Sequence, residues 1–216
     1  MKREDFLKQL GNPVPSAILK KYPAGQIYQL WGENPELYSA AFGHNDDLHR
    51  FLGGHSGLDI IGAHRCDVVA AHDGTVDSIL TNRVTLGGLV VYLMSPPLDG
   101  ETTGNSKVRT AYAHLDEMVV KIGEWVKKGQ RIGYMGNTGF VISGGTAYWG
   151  NAPAGKGTHC HISLYEYVLK NNALVQRHSN PLGGSADPLP YLTGDFSGTV
   201  GLLQKAIAYL KKLRGY

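Results

Sequence analysis

From residue 53 to residue 166 the chain reads as strand and turn, with apolar and polar positions alternating or gathering in short β-branched and aromatic runs. Period-two patterning bounded by Gly, Pro, Asn or Asp predicts strands at 58–61, 67–71, 74–80, 89–94, 108–113 and 159–167. Two stretches interrupt the pattern, 95–107 and 139–157, the second carrying Tyr148 and Trp149. Both exceed the ~4 to 6 residues of an ordinary connection, so they are expected to be inserted, functional loops.

The ends read differently. Short helical patterns at 3–10 and 16–21 are broken by Gly11-Asn12-Pro13 and closed by Pro23, which predicts an irregular N-terminal extension over 1–25. Residues 26–31 alternate like a strand and enter the turn Gly32-Glu33-Asn34-Pro35, followed by a helix-like 36–42. Beyond a Pro/Gly-rich stretch, Leu203, Ile207, Leu210 and Leu213 recur near helical spacing with Lys205, Lys211, Lys212 and Arg214 around them. A basic amphipathic helix is expected there, docking on the domain or on another copy, or touching a membrane surface. The expectation is therefore one mainly β domain over 26–192, built of antiparallel sheets, with short N-terminal helices and a linker plus helix over 193–216.

Composition sharpens this picture. Twenty-nine glycines and ten prolines in 216 residues imply many tight turns, and the length suits one substantial core. A net charge of +3 with a pI near 8.7 falls short of the strongly basic balance of a nucleic-acid binder, so no nucleic-acid partner is expected. An anionic polymer such as a cell wall stays compatible. Cys66 and Cys160 are too few for a disulfide scaffold. No apolar run approaches the ~18 residues of a membrane span, and charges in residues 1–10 leave no visible secretion signal.

Candidate chemistry concentrates in two phrases, Gly54-His55-Ser56-Gly57-Leu58-Asp59-Ile60 and Thr158-His159-Cys160-His161-Ile162-Ser163. On a strand His159 and His161 project to one face, and Cys160 and Ile162 to the other. Zinc favours imidazole and carboxylate, and a catalytic site keeps three protein ligands with an open position. One His–Asp pair plus one further His meets that count and leaves a second His for proton transfer. Alternation also places Thr110, Tyr112 and His114 on one face of their strand. Gly150 to Lys156 imitates a phosphate-binding loop but continues with Gly157 and a strand, and no His-Glu-x-x-His or Gly-x-Ser-x-Gly phrase is present. His64, His72 and His178 read as ordinary surface or turn residues, and His44 and His49 as solvated loop.

Five ordered blocks resemble the lysostaphin-type zinc endopeptidases, the M23 peptidase family. They are His55-Ser-Gly-Leu-Asp59-Ile; Val69-Ala-Ala-His-Asp73-Gly74-Thr-Val76; Tyr112-Ala-His114-Leu115; Gly123 to Gly133 with Gly136-Asn-Thr-Gly139; and Thr158-His-Cys-His161-Ile. The resemblance implies a fold of β-sheets around a central groove, one Zn2+ per chain held by His55, Asp59 and His161, and catalytic roles for His114 and His159. It implies hydrolysis of peptide bonds in peptidoglycan stems or cross-bridges, outside the cytoplasm or in association with a phage. The competing class is a non-catalytic wall-binding or amidase-activating relative. Such a relative is expected to lack ligands, whereas all five positions are present here. The long 139–157 insertion departs from the family pattern, and its aromatics are expected to wall the groove.

Overall fold

The computed structural model describes residues 1–14, 27–34, 53–100, 102, 104–180 and 182–193. The helical patterns at 16–21, at 36–42 and in the basic C-terminal stretch lie outside these residues, as do His44 and His49. The described protein is mainly β. Its principal sheet runs, neighbour to neighbour, through Ile27–Gln29, Leu58–Ile61, His159–Lys170, Ser106–Met118, Leu89–Met94, Gly74–Leu80 and Trp125–Val126, every pair antiparallel. Arg131–Met135 joins Asp67–Val69 to the long Ser106–Met118 strand, and Ala173–Gln176 folds back on His159–Lys170.

Two long, mutually paired strands, His159–Lys170 and Ser106–Met118, form the spine of the sheet. Along His159–Lys170, Cys160, Ile162, Leu164 and Val168 enter the interior, while the intervening positions face the opposite way. The main core gathers Cys160 and Ile162 with Leu58, Ile60, Val91, Leu93, Tyr112, Leu115, Ile132 and Met135. Burying side chains of this kind is worth roughly 1.5–3 kcal/mol each. Glu166 falls on the inward face near the strand's end and is buried there, paired with Arg3 and His178, each at 3.0 Å.

At the N-terminus only a short helix forms, Arg3–Leu7, less than the 3–10 pattern suggests. Leu10 belongs instead to the two-residue strand Leu10–Gly11, which pairs in parallel with Leu192–Thr193. Phe6, Leu7 and Leu10 pack with Leu98, Val108 and Leu164, and Val14 reaches the main core. The stretch 139–157 is not a loop throughout. Thr138–Ser143 and Thr146–Asn151 form a regular antiparallel hairpin turned at Gly144-Gly145, both at positive φ, which glycine tolerates without steric cost. His72 is also corrected: it is 3% exposed, bonded through Nε2 to the Thr110 hydroxyl at 3.0 Å.

Candidate metal centre and cleft

Register assembles the site. Asp59 lies directly across from His161, Ile61 across from His159 and Gln29 across from Asp59, so these side chains share the sheet face opposite the core. His55, just before the Leu58–Ile61 strand, turns onto the same point. His55 Nε2 lies 2.8 Å from His161 Nδ1 and 2.9 Å from Asp59 Oδ1, and His161 Nδ1 lies 2.9 Å from that oxygen. Gly57 makes this fit possible, because a Cβ there would come within 2.5 Å of both His161 Nε2 and the Ile162 carbonyl oxygen.

The ring nitrogens turned away from the triangle are also engaged. His55 Nδ1 is 3.0 Å from the Leu30 carbonyl, which can only accept, so Nδ1 carries the proton and neutral Nε2 presents a lone pair. His161 Nε2 is 2.9 Å from the Ser163 hydroxyl. Burial disfavours the Asp59 anion, but the adjacent imidazoles of His159, His55 and His161 hold its carboxyl well below the usual range. Burial opposes charge on His55, and Asp59 outweighs it and raises that pKa. His161 is lowered by burial, only partly offset by Asp59. An anion and two imidazoles therefore converge at 2.8–2.9 Å. A tetrahedral zinc at ~2.0–2.1 Å would set its ligand atoms about 3.3 Å apart, a few tenths of an ångström wider. The donor set fits such an ion.

His114 reaches the site by a different device. Leu89 pairs with Leu115 and Val91 with Tyr112, so Val90 alone opposes both Ala113 and His114. This two-against-one count is a β-bulge, and His114 sits at φ 59. The expected face-sharing of Thr110, Tyr112 and His114 is thereby corrected. Thr110 and Tyr112 are wholly buried in the interior, where the Tyr112 hydroxyl accepts from the Ala71 N–H at 2.8 Å, while the bulge turns His114 to the cleft side. Its ring centroid lies 4.5 Å from that of His159 and 6.0 Å from that of His161. The His114 N–H donates to Gly87 O at 2.8 Å and Nδ1–H to Thr138 O at 2.7 Å, which offsets the strained conformation. Burial, then the neighbouring His159 and His161, push its pKa well below the ordinary value, so it is a neutral imidazole. His159 Nδ1 likewise donates to Gly157 O at 2.7 Å, leaving Nε2 3.5 Å from Asp59 Oδ2.

The five residues line a cleft of about 600 Å³. One wall is the first strand of the hairpin, through Phe140, Val141 and Ile142, and the other carries Tyr28 and Gln29. Tyr148 and Trp149 are not lining residues. Trp149 instead packs on its cross-strand neighbour Phe140, ring centroids 4.7 Å apart, and so buttresses that wall residue from the side. Phe140 carried no distinguishing pattern in the sequence beyond its place beside Gly139.

A β-sheet face bearing a buried His–Asp–His triangle open to a cleft has the donor set of a metallohydrolase. Residues 53–173, more than half of the chain, match peptidase family M23, and the chain belongs to that family. It is 35% identical over 128 residues to an uncharacterized metalloprotease of Haemophilus influenzae, covering 59% of this chain and 20% of that protein. Two Vibrio cholerae proteins are also similar. The peptidoglycan DD-endopeptidase ShyA is 42% identical over 125 residues, 54% of this chain and 25% of its own length. The peptidoglycan DD-endopeptidase ShyC is 30% identical over 172 residues, 78% of this chain and 32% of its own. The chain thus spans between a fifth and a third of the length of these relatives. Among the described residues no helix is long and apolar enough to cross a membrane.

Proposed function

We propose that the chain is a zinc-dependent endopeptidase that hydrolyses peptide bonds in peptidoglycan stems or cross-bridges. The observation that carries the reading is the convergence of His55 Nε2, Asp59 Oδ1 and His161 Nδ1 beside two further histidines in one cleft. Family membership and the peptidoglycan endopeptidases among the similar proteins support the substrate class. Such a substrate places the site of action outside the cytoplasmic membrane.

His55, Asp59 and His161 would hold one zinc ion per chain. When bound, zinc supplies a Lewis acid that polarises the scissile carbonyl and makes water a competent nucleophile near neutral pH. His159 and His114 are the acid–base pair. Each donates Nδ1–H to a backbone carbonyl, so each presents a bare Nε2 for a proton. A neutral Nε2 can take a proton from attacking water, give one to the departing amine, or, once protonated, donate to the developing oxyanion. Burial keeps His114 in the neutral form that this requires. Phe140 and its neighbours narrow the cleft so that an extended peptide lies along the sheet face.

Two measurements test the reading together. Metal analysis of protein purified without chelators should give one zinc per chain, and mass spectrometry of muropeptides released from purified sacculi should show new peptide termini. Undetectable zinc, with neither activity nor melting temperature raised by adding it, would sink the assignment.

A further inference from the structure

The bulge that turns His114 to the cleft is closed by a side chain from another strand. Thr138, 1% exposed, opens the hairpin strand Thr138–Ser143, and its hydroxyl stands between the two strands of the bulge. It accepts from the Leu89 N–H at 3.0 Å and donates to the Leu115 carbonyl at 2.8 Å. Leu89 and Leu115 are the pair that bounds the bulge, so this one oxygen links its two sides. The Thr138 carbonyl in turn accepts the Nδ1–H of His114 at 2.7 Å. One residue therefore grips both the backbone beside His114 and the ring itself. Glycine permits the close approach. A Cβ on Gly88, at φ 64, would come within 2.3 Å of the Thr138 hydroxyl oxygen, and one on Gly139, at φ 83, within 2.4 Å of the Gly88 nitrogen.

We propose that Thr138 is the positioning residue for His114: its hydroxyl holds the bulge in shape and its carbonyl fixes the ring, so that Nε2 stays presented to the cleft. The assignment rests on the peptidase reading, in which His114 moves a proton, and names what keeps that proton carrier in place. Both hydroxyl bonds are buried, where a donor or acceptor left unmade is costly. Without the hydroxyl, the Leu89 N–H and the Leu115 carbonyl lose a shared partner, and the bulged backbone at His114 would shift to compensate. An imidazole does acid–base work only within hydrogen-bond reach of the proton it transfers. A misplacement of about 1 Å can cost on the order of 10²-fold in rate. The donor triangle is anchored elsewhere, with His161 across from Asp59 and His55 against the Leu30 carbonyl. The loss is therefore expected in turnover and not in metal content.

Thr138→Val keeps the shape and removes the hydroxyl, whereas Thr138→Ser keeps the hydroxyl. In zinc-loaded protein, Thr138→Val should lose roughly 10- to 100-fold in kcat per folded molecule on a cross-linked muropeptide, with stoichiometric zinc and KM near the wild-type value. Thr138→Ser should return kcat close to wild type. If Thr138→Val only melts lower, with kcat per folded molecule unchanged, Thr138 serves the fold alone and the proposal is overturned. Zinc lost from Thr138→Val, a raised KM with wild-type kcat, or Thr138→Ser as slow as Thr138→Val overturns it equally. Where Thr138→Val does not fold, nitrogen NMR of histidine-labelled, zinc-loaded wild-type protein decides. The His114 proton is expected on Nδ1, and a proton on Nε2 overturns the assignment. Wild-type protein that binds zinc but cleaves no muropeptide would overturn the peptidase reading itself, a result distinguishable from the others.

Discussion

Two buried carboxylates served by histidines lie on neighbouring parts of one sheet, and only one belongs to the site. Glu166, on the core-facing side of the His159–Lys170 strand, meets Arg3 and His178 at 3.0 Å each. Asp59, on the opposite face of the adjacent strand, meets His55, His159 and His161, and no lysine or arginine among the described residues pairs with it. A guanidinium is a permanent cation, so the Glu166 cluster is neutralised by the chain itself. The Asp59 cluster turns lone pairs inward and has only titratable partners. A cation brought from outside would complete it, and the open cleft offers a route.

The largest predicted effect tests that difference. His161→Ala and Asp59→Ala should lose zinc and activity together, because each removes a corner of the donor triangle. His159→Ala and His114→Ala should instead retain near-stoichiometric zinc while turnover drops on the order of 10² to 10⁴, the usual contribution of positioned acid–base groups. Metal content measured alongside kcat separates the two classes. An empty site in His159→Ala with metal kept in His161→Ala would reverse the ligand assignment.

How far the sequence carried this depends on what each element obeys. Strands that follow strict alternation were legible: Cys160 and Ile162 turn inward and His159 and His161 outward, as the period of two requires. His114 was found by its motif but placed on the wrong face, because a bulge with positive φ breaks alternation between Ala113 and Leu115. No pattern in Tyr112-Ala113-His114-Leu115 marks that bulge; it follows from the pairing with Leu89–Met94. The 139–157 hairpin was missed because glycines at its turn and borders obscured the strand pattern of Phe140 to Ile142. His72 carries nothing in its neighbours to announce burial. The Thr110 and Phe6 that enclose it come from distant segments.

Breaking the other cluster should have an intermediate effect, on the fold alone. Arg3→Ala leaves the buried Glu166 carboxylate with His178 as its remaining ion-pair partner among the described residues. Losing one partner of a buried pair costs about 3–5 kcal/mol, with the lower end expected here because Arg3 is partly exposed and His178 remains. Denaturant unfolding should show that loss, and zinc content and kcat per folded molecule should stay at the wild-type level. Arg3→Ala/Glu166→Gln should recover part of the stability, since the uncompensated charge is then gone. A fall in zinc occupancy in Arg3→Ala would mean the two clusters are coupled through the His159–Lys170 strand.

The smallest effect concerns the support behind the metal site. Ser163 is 3% exposed, its hydroxyl lies 2.9 Å from His161 Nε2, and Tyr165 hydrogen-bonds to it in turn. A metal ion on Nδ1 would leave Nε2–H to donate to Ser163, so Ser163 would hold the rotation of the ring. Ser163→Ala should weaken zinc binding by roughly 10- to 100-fold, read by competition with a chelator of known affinity. Tyr165→Phe removes only the outer hydrogen bond and should cost less than Ser163→Ala. Equal zinc affinity in Ser163→Ala and wild type would show that Gly57 and the strand backbone alone hold the ring. A larger loss in Tyr165→Phe than in Ser163→Ala would place the tyrosine, and not the serine, in control of His161.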